Sequence, residues 1–223
     1  MTSRPTAVFV GPQDTADGHF LLTTNGSSIS VLDGTDLGTR YESDGSPDPT
    51  PGRYGSSAGV QDIAQLYMGE YPGYLYTANS ENSISAFELS SYGTLTQLAG
   101  SPYANPDDLP GTSGNPASVT VDANGSLGSH LYTLNSGPRD IGIFSLDMNT
   151  GIPTYVQSQH RGLIDSTPLN RIRAAGGESE VCMVTSNGYS LLIVDQTTGL
   201  TAIEPGSPFL VPDIYPALDL GLF

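Results

Sequence analysis

The sequence contains no lysine. All seven basic residues are arginine, set against 23 acidic ones for a net charge of −16. A field of that sign repels phosphate backbones and anionic lipid, which argues against nucleic-acid and membrane-surface binding. It suits either a solubilising surface or one that gathers cations and basic partners. Cysteine occurs once, as Cys182, so no intrachain disulfide can form. Cys182 stands in the apolar run VCMV, as a small buried hydrophobe would, with nothing nearby in sequence to lower its pKa. No run reaches transmembrane length, and no charged-then-apolar signal segment is read at the start. The expectation is a cytosolic protein or a chain without its export signal. No long pattern of period 3.6 occurs either, which excludes a helical solenoid.

What the chain has is 27 glycines, 17 prolines and 47 serines and threonines, against only 30 charged residues. That composition favours short strands joined by tight turns, with a surface of hydroxyl and amide groups. A length of 223 residues can hold one full-sized domain with a substantial core.

The chain also repeats. FLLTTN ends at Asn25, YLYTAN at Asn79, HLYTLN at Asn135 and MVTSN at Asn187, at spacings of 54, 56 and 52 residues. Each is followed by a polar turn and a second strand: SISVL, SISAFEL, IGIFSL and SLLIV. A hairpin signal comes next (LDGTDLG, LSSYG, LDMNTG, VDQTTG), in which Asp or Ser opens the turn and Gly supplies the positive φ. A further strand then runs into Gly-Ser-Pro at 45–47, 100–102 and 206–208, but the third unit reads YVQSQHRG instead. Upstream of the Asn lies one more strand, clearest in TAVFVG and PASVTV. Four antiparallel strands per period predict an all-β protein, a β-propeller of four-stranded blades. A twisted sheet with two apolar faces cannot cover both alone, and stacking blades around an axis covers them. A β-sandwich is the alternative, but a sandwich need not repeat its turn sequence four times. The expected blades span 6–47, 58–102, 116–160 and 168–208, with the first strand of another at 216–223. That makes one partial propeller over 1–223.

YLYTANSENSISAFEL, GTLTQLAGSPY and GLTAIEPGSPF resemble the YVTN-type repeats of the lactonase-like β-propeller family, and the resemblance runs from about Ala7 to Phe223. It implies a seven-bladed propeller of which this chain supplies about four blades, like those of 6-phosphogluconolactonase-type proteins. Blade faces left open would be apolar patches that favour self-association. Catalytic-type members of the family carry a His near the start of the innermost strand. Here the matching phrase is GNPASVTVDANG, with Ala117 and Ser118 in those places. TAVFVG and YPALDLG have no His there either.

Binding in propellers is expected on the rim of long blade connections, at 44–60, 99–116, 158–170 and 205–216. His19 and His130 share one repeat position and read as structural, whereas His160 occurs only in the third unit, followed by Arg161. His160 as general base, with Arg161 or Arg139 stabilising an oxyanion, is the catalytic constellation the sequence offers for lactone opening. The plain alternative is a solvated loop. Arg53, Glu81, Asp107, Asp108 and Asp140 are the candidate ligand-binding residues of the same rim. DTADG, DGTD and PDD offer oxygen ligands to Ca²⁺ without the spacing of an EF-hand loop, and Asp-Gly clusters are also turn chemistry. No phosphate loop or Cys/His zinc cluster is present, so no cofactor is expected. The resulting expectation is a non-catalytic interaction or surface-recognition scaffold for a protein or carbohydrate ligand, exported or at the cell surface as the resemblance implies. A sugar-lactone hydrolase is the second reading, and a Ca²⁺-stabilised propeller stands behind both.

Overall fold

The computed structural model describes residues 8–10, 20–25, 28–33, 53–55, 59–66, 73–90, 94–106, 115–124, 128–135, 140–160, 169–174, 180–185, 188–195, 197–207 and 209–210. Among them every regular element is a strand, and no helix occurs. The strands form four sheets. The first contains β1 (Val8–Val10), β2 (Phe20–Asn25), β3 (Ser28–Asp33) and β4 (Arg53–Gly55). The second contains β5 (Val60–Leu66), β6 (Gly73–Asn79), β7 (Ser83–Leu89), β8 (Leu95–Gln97) and β9 (Tyr103–Ala104). The third contains β10 (Pro116–Asn124), β11 (Gly128–Asn135), β12 (Asp140–Leu146) and β13 (Pro153–His160). The fourth contains β14 (Leu169–Ala174), β15 (Glu180–Thr185), β16 (Gly188–Val194), β17 (Thr201–Ile203) and β18 (Phe209–Leu210). Each sheet is an antiparallel meander in chain order, which is the propeller blade expected from the repeat. The expected strand at 216–223 lies outside the described residues.

Blades stack through their first strands. β10 packs against both β5 and β14, and β5 against β1 and β2, so these strands line the inner side. No comparable contact joins β14 to β1 among the described residues. Three apolar clusters fill the three junctions, one per pair of neighbouring blades. In β6, Tyr74, Tyr76 and Ala78 point into the junction with the third blade while Leu75 points into the junction with the first. A strand buried on both faces reads as a continuous apolar run rather than an alternation, which explains YLYTAN and HLYTLN.

Gly-Ser-Pro interrupts the outer strand; it does not end it. In the second blade β8 pairs with the end of β7, and β9 resumes pairing with its start, Ser83↔Ala104 and Ile84↔Tyr103. In between, the chain bulges: Gly100 has φ 87°, Ser101–Pro102 is cis, and Ser101 Oγ accepts the Ala86 N–H at 3.0 Å. The fourth blade repeats the device, with Gly206 at φ 99° and Ser207 Oγ accepting the Leu191 N–H at 3.0 Å. The serine thus replaces the backbone carbonyl that the bulge removes from the ladder. β13 passes the same point with a one-residue shift near Phe144, so the third unit has no need of the motif. The blades accordingly extend past the boundaries expected from Gly-Ser-Pro, to Gly55, Ala104 and Leu210.

The fourth repeat also shifts register. Asn79 and Asn135 pair across a bulge with Val60 and Pro116, and Thr185, not Asn187, holds that place opposite Leu169. Thr185 pairs with Gly188 as Asn25 pairs with Ser28, so the strand of the fourth unit ends two residues before the Asn187 of the repeat alignment.

Candidate functional site

The turns between second and third strands and the long blade connections lie at one end of the blades. In the second blade this rim is held by its own backbone. Ser80 N–H donates to Gly59 O at 2.8 Å, Asn105 N–H to Asn82 O at 2.7 Å, and Asn82 N–H to Asn115 Oδ1 at 3.2 Å. The connection between the second and third blades is therefore anchored at both its described ends on the turn 80–82. Glu81 is exposed at the tip of that turn, and Asn82 takes a positive φ of 48°, a conformation Asn tolerates.

Beneath this rim the third blade buries a polar network. Asn105 enters it from the second blade, donating through Nδ2 to Asn135 Oδ1 at 2.9 Å and accepting from Thr133 Oγ1 at 3.1 Å. Asn135 Nδ2 in turn donates to Asp140 Oδ2 at 3.1 Å. All four residues are buried. The space for Asn105 comes from Gly142, where a Cβ would overlap Asn105 Oδ1 at 2.6 Å as well as Thr133 Oγ1. In the second blade Ser85 takes the place of Gly142, and Asn79 Nδ2 donates to Ser83 and Ser85 within the same blade. In the fourth blade Ser190 stands at that place, and its buried hydroxyl has no hydrogen-bond partner among the described residues.

A second set of polar groups links the inner strands. Asp62 Oδ2 accepts from Ser118 Oγ at 2.5 Å and from Val119 N–H at 3.1 Å. Ser118 Oγ accepts from Ile172 N–H at 3.2 Å, and Thr120 Oγ1 from Ala174 N–H at 2.9 Å. Asp62 and Ser118 hold equivalent register places and are fully buried, so the second and third blades each present an acceptor to the next blade's backbone.

Of the catalytic candidates, His160 ends β13, the outermost strand of its sheet, with its backbone opposite Asp140. Strands lie about 4.8 Å apart, which puts it roughly 14 Å out from the innermost strand. Arg139 and Arg161 lie outside the described residues, as do Asp107 and Asp108. Arg53 begins β4, opposite Ser30. Asp140 was expected as a rim ligand, but its carboxylate is fully buried and bound by Asn135, because β12 begins beneath the turn rather than in it. Of these candidates the structure places two side chains, Glu81 exposed at the rim and Asp140 buried. The described residues contain no group of three His, Cys, Asp or Glu residues placed to hold a metal. The sequence reading missed Asn105, yet a signal was present: SISVL, SISAF and GYSLL carry Ser where DIGIF has Gly142.

Comparison with known proteins agrees with this architecture. No family model matches the chain, and no curated protein matches it. Among solved structures it is similar to a candidate 6-phosphogluconolactonase from Bacteroides fragilis, with TM-score 0.62 and 16% identity over 90% of this chain and 53% of that one. A protein of unknown function from Desulfotomaculum acetoxidans matches with TM-score 0.63 and 17% identity, over 92% of this chain and 56% of that one. A second candidate 6-phosphogluconolactonase, from Bacteroides uniformis, gives TM-score 0.58 and 14% identity over 85% and 54%. The chain spans about half the length of these structures. At such identities the likeness concerns fold, and in fold this chain resembles the lactonase-like β-propellers.

Proposed function

We propose that the protein is a non-catalytic β-propeller scaffold that recognises a protein or carbohydrate through its long-connection rim. The observation that carries this reading is the use made of its polar groups. Ser118 stands where the resemblance would place a catalytic His, and its hydroxyl is buried in the link between Asp62 and Ile172. Asn105 is likewise spent on joining the second blade to Asn135 of the third, and Asp140 on holding Asn135 within the third blade. What remains for a partner is the rim surface, with Glu81 exposed on a turn pinned from both sides. Rigid scaffolds that present irregular loops are well suited to recognition. Location outside the cell or on its surface belongs to the same reading.

The second reading, a sugar-lactone hydrolase, is favoured by the likeness to candidate 6-phosphogluconolactonases. On that reading His160 would activate water and Arg161 or Arg139 would bind the oxyanion. One experiment separates the two: hydrolysis of 6-phosphogluconolactone, followed by proton release, for the chain and its His160→Ala variant. The scaffold reading expects both rates to equal the uncatalysed one. A catalysed rate that falls at least about a hundredfold in the variant, the usual contribution of a general base, would establish the hydrolase.

A further inference from the structure

Two junctions between blades use the same joint with different chemistry. Between the second and third blades, the Tyr74 ring lies on Gly151 of the turn joining β12 and β13, where a Cβ would overlap ring carbons at 2.5 Å. Tyr76 O–H donates to Gly151 O at 2.8 Å, and Tyr74 O–H to Asn149 O at 2.7 Å. Between the third and fourth blades, His130 takes the place of Tyr74, Tyr132 that of Tyr76, and Gly199 that of Gly151. Tyr132 O–H donates to Gly199 O at 3.1 Å, and a Cβ on Gly199 would overlap the imidazole, meeting both Cγ and Nε2 at 2.9 Å. Both glycines have positive φ, 67° and 72°, and each N–H closes its turn on an aspartate carbonyl, of Asp147 and Asp195, at 2.7 Å. The joints differ in one respect: a phenol does not change charge in mild acid, and an imidazole does.

The geometry points to the His130–Gly199 contact as an acid-responsive joint, through which protonation of one buried imidazole loosens the fourth blade from the third.

The surroundings of His130 set the direction. It is buried, in tilted contact with Tyr132 at 6.3 Å between ring centroids. Across β10 its strand partner is Asp122, also buried; across β12 it is Ser145. From the fourth blade, Asp195 faces it through the turn. Burial lowers the pKa of His130, and the Asp195 charge opposes this to a lesser extent. Burial raises that of Asp122, which weakens it as a counter-ion as acid is added. Asp195 is solvent-exposed, so its attraction is screened. The unfolded or undocked chain therefore holds the imidazole proton more tightly than the joint does. Stability of the junction is full above the free value of about 6.5 and is lost as pH falls from there toward the folded pKa. In the tyrosine joint, burial pushes Tyr74 and Tyr76 upward, away from this range altogether.

The test compares the two turns within one molecule. Hydrogen exchange at Gly199 and Leu200 is measured against Gly151 and Ile152 from pH 7.5 to 4.5, which cancels the intrinsic pH dependence of exchange. The ratio is expected to rise on acidification, by up to about tenfold for each unit that the His130 pKa lies below its free value. That pKa is read independently by NMR titration of the imidazole in the wild-type chain, so the test does not depend on any variant folding. His130→Tyr, which installs the residue of the other junction, is expected to flatten the ratio across the range. A wild-type ratio that stays constant with pH, an imidazole titrating at or above 6.5, or an acid response that persists in His130→Tyr would each overturn the proposal.

Discussion

At the scale of single residues, glycines and buried polar groups decide how neighbouring blades meet. Gly142 is there because Asn105 fills the volume that Ser occupies in the sister blades. Asp122 illustrates a residue that costs stability. It is 4% exposed, and burial raises its carboxyl pKa. The folded state therefore favours its proton, and above the folded pKa the ionised group is carried at a penalty that disappears below the free value of about 3.9. Asp122→Asn is expected to raise the Tm at pH 7 by roughly 2 °C, the scale of a 1 kcal/mol change in a chain of this size, and to lose that gain as pH falls toward 4. Scanning calorimetry at pH 7 and pH 4 checks it. An unchanged or lower Tm at pH 7 would mean that the ionised carboxylate is needed.

At the scale of elements, the outer strand is the most variable part of the blade. An outer strand must follow the twist of its sheet and still turn toward the next blade, and two blades do this with the Gly-Ser-Pro bulge. Ser101 and Ser207 are the residues that keep the ladder satisfied there. Ser101→Ala and Ser207→Ala each leave a third-strand N–H without its acceptor and are expected to cost about 1–2 kcal/mol in urea unfolding. Because the sites are in different blades, the double variant should lose close to the sum. A cost near zero would show that solvent or relaxation replaces the hydroxyl. The same bulge explains why blade boundaries drawn at Gly-Ser-Pro fall short: the chain resumes pairing with the same neighbour a few residues later.

At the scale of the whole molecule, four blades stack through three apolar junctions, and side-chain acceptors on the inner strands tie the second blade to the third and the third to the fourth. The last sheet carries Ile193 and Ile203 at 40% and 38% exposure. Among the described residues the first and last sheets make no contact comparable to these junctions, and apolar faces left open at the ends of a stack associate. Light scattering after size exclusion is expected to give a mass above 23.3 kDa that rises with concentration. A sharp species at 23.3 kDa with a cooperative melt would show instead that the chain covers both ends itself.

The sequence by itself determined the blade. Period-two runs, hairpin turns opened by Asp or Ser and closed by Gly, and a spacing of 52 to 56 residues specify four antiparallel strands repeated four times, because those patterns act through local backbone geometry. The rim was legible for the same reason, since the turn after each second strand is written in the repeat. Only the tertiary structure decided which polar residues are buried in links within and between blades. Asp140 looked like a rim ligand and is an internal acceptor; Asp62, Ser118 and Asn105 drew little notice and hold blades together. The links made by Asp62, Ser118 and Asn105 reach groups 28 to 57 residues away in the chain, brought within 3.2 Å by stacking. A contact of that kind leaves no periodic trace in the sequence, because it forms between repeats and not within one.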